Sequence, residues 1–358
     1  MNKKVLAIFF AVLAAGLYAI NIPFSKLLLQ HIQPTMLASY LYLGAGMGIG
    51  LVSLMTGLVT GLKTGLKTSL QTKKKASDTG ERITKKDLPF VLGMIVLDMI
   101  APILLMFGLM DSASSNASLL NNFEIVCTSL IALLIFKETV SGKMWMAISF
   151  ITLSSFFLSF EDLALFRLSW GAVLVLLATL CWGLENNCTR NLASKNTYHM
   201  VFLKGTFSGL GSLIVALVLG ENFAGIRSLA LALLLGFVAY GLSIFFYIKA
   251  QGMIGAAKTS AYYAVAPFIG TALSFVLFDE KPTWAYFLGL AIMIVGTVLV
   301  VMDTLAGKHS HMHKHTVTHT HDGSTHTHIV EHEHEHEHVF SDKHHHHRHG
   351  SDRINGHA

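Results

Sequence analysis

Apolar residues in this chain gather into runs of about 20, separated by short polar turns and by one long basic loop. About 30 Å of hydrocarbon, crossed at about 1.5 Å per residue, requires a helix of that length, so each run is read as a spanning helix. Ten are predicted, over roughly 5–29, 34–57, 88–109, 113–136, 142–160, 168–189, 198–219, 227–248, 257–278 and 283–302. The first is interrupted by Asn21 and Pro23, the ninth by Pro267. Such breaks free backbone groups at membrane depth, which protein or a water-filled cavity must then satisfy. The amino end has the lysines and apolar run of a signal peptide, but the spans that follow favour an uncleaved first helix.

The runs repeat. Asn116–Glu138 and Lys258–Glu280 lie 142 positions apart, share Ser118/Ser260 and Phe136/Phe278, and each ends on an acidic turn. The same offset carries the third run onto the eighth. For the first helix of each half the offset is 164, matching Tyr18 to Trp182 and Lys26 to Arg190, and the 22-residue difference is accounted for by the basic 57–88 loop. Five helices per half is an odd number, so the halves must run antiparallel in the membrane. The predicted fold is an all-α membrane protein of ten helices in two inverted five-helix repeats, 1–160 and 161–305, followed by a disordered tail, 306–358.

Composition supports this. Only 13% of the 358 residues are charged, against roughly 25% in soluble domains. The net charge of +5 does not indicate nucleic acid, since no basic patch is interleaved with aromatics. Lys and Arg instead concentrate in the 57–88 loop, beside Lys3 and Lys4, and at the turns that ten alternating spans place on the same side. By the positive-inside rule that side is cytoplasmic, with both termini on it, and the expected location is the cell (plasma) membrane. Cys127, Cys181 and Cys188 all fall in apolar segments and are read as packing residues; Cys181 and Cys188 are about 10.5 Å apart along one helix, too far for a disulfide.

Ten helices in two inverted fives, a basic second loop, and the turns KETVS and DEKPT closing the fourth and ninth helices resemble the EamA-type drug/metabolite transporter superfamily over about residues 5–303. The resemblance implies a secondary carrier with a central pathway between its halves. It leaves the substrate open among amino acids, nucleotide sugars, drugs and other metabolites. The first half departs from the usual pattern: Ile125 stands opposite Pro267, preceded by Asn121-Asn122-Phe123-Glu124.

An ionisable residue inside a span is costly and marks a functional candidate. Asp98 and Glu124 sit near mid-span, and Glu185 lies toward the cytoplasmic end of its helix, at the position matching Asn21. Each could take up a proton or hold a cation; the alternative is an acid satisfied by a neighbouring amide or lysine. Function is the favoured reading for Glu124, because Asn121 and Asn122 crowd its turn. Asn21, Asn186 and Asn187 either line the pathway or bridge helices. Tyr262 and Tyr263 either face the cavity or pack. Lys204, about a turn inside helix seven, is expected to snorkel to the cytoplasmic surface. Glu138 and Glu280 end their helices at turns and are expected to cap or pair rather than touch substrate.

The tail holds 18 of the 20 histidines. The candidates for metal binding are His309, His311, His313, His315, His319, His321, His326, His328, His332, His334, His336, His338, His344, His345, His346, His347 and His349. Neutral imidazoles bind zinc, nickel, copper and cobalt, and glutamates can add oxygen ligands. The spacing matches no single closed site and suits a flexible, multi-site chelator; low-complexity drift without function is the alternative. Few apolar residues remain there to build a core.

Three functions follow. The first is a secondary transporter of a small metabolite, amino-acid-like or another small organic solute, with a metal-binding tail. The second is a transition-metal cation transporter for nickel, cobalt or zinc, using the tail as a collector. The third is a non-transporting membrane metal sensor. No nucleophile–base pair or phosphate-cradling loop points to an enzyme. No cofactor is required, with zinc or nickel bound by the tail. The expected partners are the lipid bilayer, a small-molecule substrate and divalent transition metals, with a homodimer left open.

Overall fold

The computed structural model describes residues 3–65, 83–137, 140–162, 167–192, 195, 197–254, 259, 262–305, 308–321 and 324–337. Glu138, the interior of the basic loop, and the histidines from His338 onward lie outside them.

The first half contains α1 (Lys3–Ala19), α2 (Asn21–Leu28), α3 (Pro34–Gly65), α4 (Leu88–Met110), α5 (Ser114–Leu120), α6 (Phe123–Phe136) and α7 (Gly142–Leu158). Two short strands, β1 (Phe160–Asp162) and β2 (Arg167–Leu168), pair between the halves in the sequence. The second half contains α8 (Trp170–Asn191), α9 (Thr197–Val218), α10 (Ile226–Gly236), a π-helical stretch Phe237–Leu242, α11 (Ser243–Ile254), α12 (Ala266–Leu277) and α13 (Trp284–Leu305). Eight helical stretches among the described residues are long and apolar enough to cross a membrane. Two more apolar helices, α7 and α12, are shorter and occupy the places of the predicted fifth and ninth spans.

Packing between the halves follows a reciprocal pattern. The second span, α3, crosses the seventh, α9, and the fifth, α7, packs on the tenth, α13. The third packs on the sixth as the first packs on the eighth; the fourth meets the sixth as the ninth meets the first. Exchanging the halves leaves this list unchanged, as two-fold related repeats require. At the α3–α9 crossing a Cβ on Gly205 would lie 2.7 Å from the backbone nitrogen of Gly46, so both must be glycine for the helices to approach this closely.

Helix ends are closed across the halves as well as locally. Ser141 and Ser169 cap α7 and α8, accepting from Met144 N–H at 3.0 Å and Ala172 N–H at 3.3 Å. The Glu280 carboxylate, at the end of the ninth span, accepts from the N–H groups of Ser114 (2.7 Å) and Ser115 (3.1 Å), the start of α5. Glu221 does the same for Thr35 and Met36 at the start of α3. Each matches a carboxylate to the positive end of a helix in the opposite half. Asp87, just before α4, accepts from the Thr84 N–H and hydroxyl and pairs with Lys195 at 3.0 Å. These contacts, the Thr84 bonds first, hold its carboxyl down to about 2, so this link between the halves stays charged at physiological pH. Glu280→Gln should retain one acceptor and lose the charge, costing ~1–3 kcal/mol. The check is thermal unfolding in detergent, expected to fall by a few degrees while substrate affinity is unchanged.

The surface is apolar where a soluble protein would be polar: Trp284 is 88% exposed, Ile226 81% and Leu134 76%. Polar residues lie inside, as lipid solvation of the exterior requires. The tail, expected to be disordered, is described only over 308–321 and 324–337, where Lys308–His321 (β3) pairs antiparallel with Ser324–Glu337 (β4). The physical reason is local. β-Branched Thr316, Val317, Thr318, Ile329 and Val330 favour extended backbone.

Candidate functional site

The breaks in the helices define where the site forms. The first span turns at Ile20, between α1 and α2, and the fourth at Asn121-Asn122, between α5 and α6. The ninth turns at Ala264-Val265, within one residue of the position that the 142 offset assigns to the Asn pair. Pro267 then sits in the first turn of α12, where its missing N–H costs no hydrogen bond. In the eighth span the helix loosens into the π stretch carrying Tyr240. The repeat offset sets Tyr240 against Asp98.

At these breaks a polar network crosses from one half to the other. Asn121 Nδ2 donates to the Tyr18 hydroxyl at 3.3 Å. The Tyr18 ring lies 5.7 Å from Tyr263 and 6.0 Å from Tyr240, and Tyr240 lies 5.3 Å from Tyr42. Asn21 Nδ2 donates to the Tyr240 hydroxyl at 2.8 Å. The Tyr42 hydroxyl donates to Asp98 Oδ1 at 2.9 Å. Lys204 Nζ then stands between two acids, 2.9 Å from Asp98 Oδ2 and 3.1 Å from Glu185 Oε1. The contact to Asp98 Oδ2 is an ion pair more than a directed hydrogen bond. Glu185 also accepts from the Thr189 hydroxyl.

A second arm begins at Glu124, which accepts from Asn186 Nδ2 at 2.7 Å; the same amide donates to Thr128 Oγ1 at 3.2 Å. Asn187 Nδ2 donates to the Thr128 carbonyl at 3.1 Å. Gly183 permits this: a Cβ there would lie 2.5 Å from Cys127 Cβ and 2.9 Å from Thr128 N, so α6 and α8 touch backbone to backbone. Two of the three carboxylates, Asp98 and Glu185, therefore share one ammonium, and the third, Glu124, is met by an amide. Asp98 and Glu185 are 0% and 3% exposed, so these charges must be matched inside the protein. Asn121 Oδ1, Asn122 Nδ2 and Asn187 Oδ1 are buried without a hydrogen-bond partner, open donors and acceptors at the junction of the halves.

Of the residues singled out from sequence, Asn21, Asp98, Asn121, Glu124, Glu185, Asn186 and Tyr263 join this network. Asn122 lies buried beside it, and Tyr262, 38% exposed, stands apart. The snorkelling expected of Lys204 is corrected, because two buried acids hold its ammonium instead. Tyr18, Tyr42, Tyr240, Thr128 and Thr189 were not foreseen as members; a tyrosine facing a buried carboxylate cannot be told from a packing tyrosine along one helix. Helices α7 and α13, which pack on each other, contribute no hydrogen bond to the network among the described residues. All three cysteines are free thiols. Among the described side chains, no group of three or more His, Cys, Asp or Glu is arranged to hold a metal ion.

Comparison with known proteins agrees with this architecture. A protein of Methanothermobacter thermautotrophicus (strain Delta H), named as an uncharacterized transporter, is 25% identical over 272 residues, covering 74% of this chain and 76% of its own. A crystal structure described simply as that of a protein superposes with a TM-score of 0.53 at 14% identity, over 84% of this chain and 95% of its own, a likeness of fold alone. The EamA-like transporter family matches residues 5–160 and again 169–302. Two matching segments, one on each half of a membrane-embedded helical bundle, make this chain a member of the EamA-like transporter family.

Proposed function

We propose that the protein is a secondary carrier for a small organic solute, amino-acid-like in its charge, moving through a pathway between the two halves. The observation that carries this reading is the Asp98–Lys204–Glu185 cluster, in which one half supplies Asp98 and the other supplies Lys204 and Glu185. A solute bearing both an amine and a carboxylate can replace these pairings group for group: its carboxylate competes for Lys204, its amine for the acids. The unpaired amide atoms of Asn121, Asn122 and Asn187 offer further contacts. Ten spans in two inverted fives give such a cluster access to either face by rocking one half against the other. Both termini are then cytoplasmic in the cell membrane, and reporter fusions at Lys74 and His344 should both read cytoplasmic.

The metal-cation reading is the weaker one, since Lys204 already neutralises two of the acids a divalent ion would need. In this account the tail binds divalent transition metals and adjusts transport. Purified protein in vesicles, offered neutral, acidic and basic amino acids alongside zinc and nickel, tests the choice. The expected result is exchange of an organic solute, retained at saturating substrate when the chain is cut after Gly307. Metal flux without solute exchange, falling on truncation when free metal is scarce, would reverse the assignment.

A further inference from the structure

The tail's histidines are ordered in a way that composition alone does not convey. In β3 every histidine occupies an odd position, and in β4 every histidine an even one. The register sets odd positions of β3 opposite even positions of β4: His309 faces His336 in the ladder, His311 faces His334, and His313 faces His332. Near the other end His319 is opposite His326. Alternate residues of a strand share a face. All six histidines of β3 and all five of β4 therefore belong to one face of the hairpin. The other face sets Lys308 opposite Glu337 and Lys314 opposite Glu331, and then runs into threonines.

From this placement we infer that the hairpin is a metal-templated histidine ladder, in which opposed and successive histidine pairs form a row of sites for divalent zinc-like cations. This rests on the reading that the tail binds metal and adds which histidines act together. Directly opposed positions have Cβ atoms about 4.5–5.5 Å apart, a separation that lets two imidazoles reach one ion at about 2.0–2.1 Å each. The next pair lies about 6.8 Å along the strands. Two successive pairs, such as His309–His336 and His311–His334, thus supply the four nitrogen donors of a tetrahedral site.

Metal also answers the hairpin's own physical problem. Two strands without an apolar face are marginal in water, and a column of partly protonated imidazoles repels itself. Ligation removes the protons and crosslinks the strands, so binding free energy becomes folding free energy. The histidine face is thereby a folding switch driven by metal.

The test uses the full-length protein in detergent and zinc chloride, titrated against a colorimetric chelator. Three variants are compared with the parent. His311→Ala/His334→Ala removes one opposed pair. His345→Ala/His347→Ala removes the same number of histidines beyond the ladder. Thr318→Pro/Thr327→Pro keeps every histidine and breaks an opposed pair on the other face. The ladder predicts that the first and third weaken the tightest zinc sites about tenfold or more, the first by removing two ligands of a site and the third by breaking the strand pairing that brings the ligands together, while the second leaves them unchanged. Equal affinity in the parent and the proline variant, with equal losses in the two alanine variants, would overturn the ladder and leave a flexible chelator. Zinc binding no greater than that of a chain ending at Gly307 would overturn the tail's metal role itself, and the ladder with it.

Discussion

Replacing Lys204 by methionine is expected to abolish transport and to lower the amount of folded protein. The ammonium contacts both Asp98 and Glu185, and both acids are buried. Removing one partner of a buried ion pair costs about 3–5 kcal/mol, because the other charge is left uncompensated. The triple variant Asp98→Asn/Glu185→Gln/Lys204→Met removes all three charges, so it should recover abundance while transport stays lost. Size-exclusion profiles of detergent-extracted protein read the first effect and solute exchange in vesicles reads the second. A Lys204→Met protein of normal yield and full activity would mean that the ammonium reaches the surface and matters to neither.

Glu124→Gln is expected to separate folding from transport in the opposite way. Glutamine keeps the acceptor oxygen that Asn186 Nδ2 meets at 2.7 Å, so the α6–α8 contact survives and abundance should be normal. What disappears is the charge and its capacity to take up a proton. A charge-assisted contact from Glu124 to the moving solute would be worth about 1.5–3 kcal/mol, so transport should fall roughly ten- to hundredfold and lose whatever pH dependence Glu124 carries. Normal transport with the parent pH profile would reduce Glu124 to a structural acid.

The sequence made some of this site visible and hid the rest for physical reasons. A carboxylate in an apolar run is conspicuous because burying it is costly, so Asp98, Glu124 and Glu185 stand out unaided. The turn at Asn121-Asn122 is legible too, since two amides in succession interrupt an apolar helix. Lys204 was misread because its depth was judged along α9 alone. Its partners are 106 positions upstream and 19 upstream, on helices that only the fold brings beside it. The π stretch at Phe237–Leu242 leaves no mark, because widening one turn changes neither length nor hydropathy. In the tail, composition indicated metal chemistry, yet it was the ladder register that turned a count of histidines into a face.

The central claim is that the network between the halves lies on a water-accessible route through the membrane, and it can be measured without knowing the substrate. With Cys127, Cys181 and Cys188 replaced by serine, single cysteines are introduced by Asn21→Cys, by Asn186→Cys, and by Leu134→Cys on the exposed apolar surface. A charged, membrane-impermeant thiol reagent is then applied from each side of sealed vesicles. The account predicts labelling at positions 21 and 186 and none at the lipid-facing position 134. Protection of positions 21 and 186 from both sides, in protein that remains folded, would contradict it.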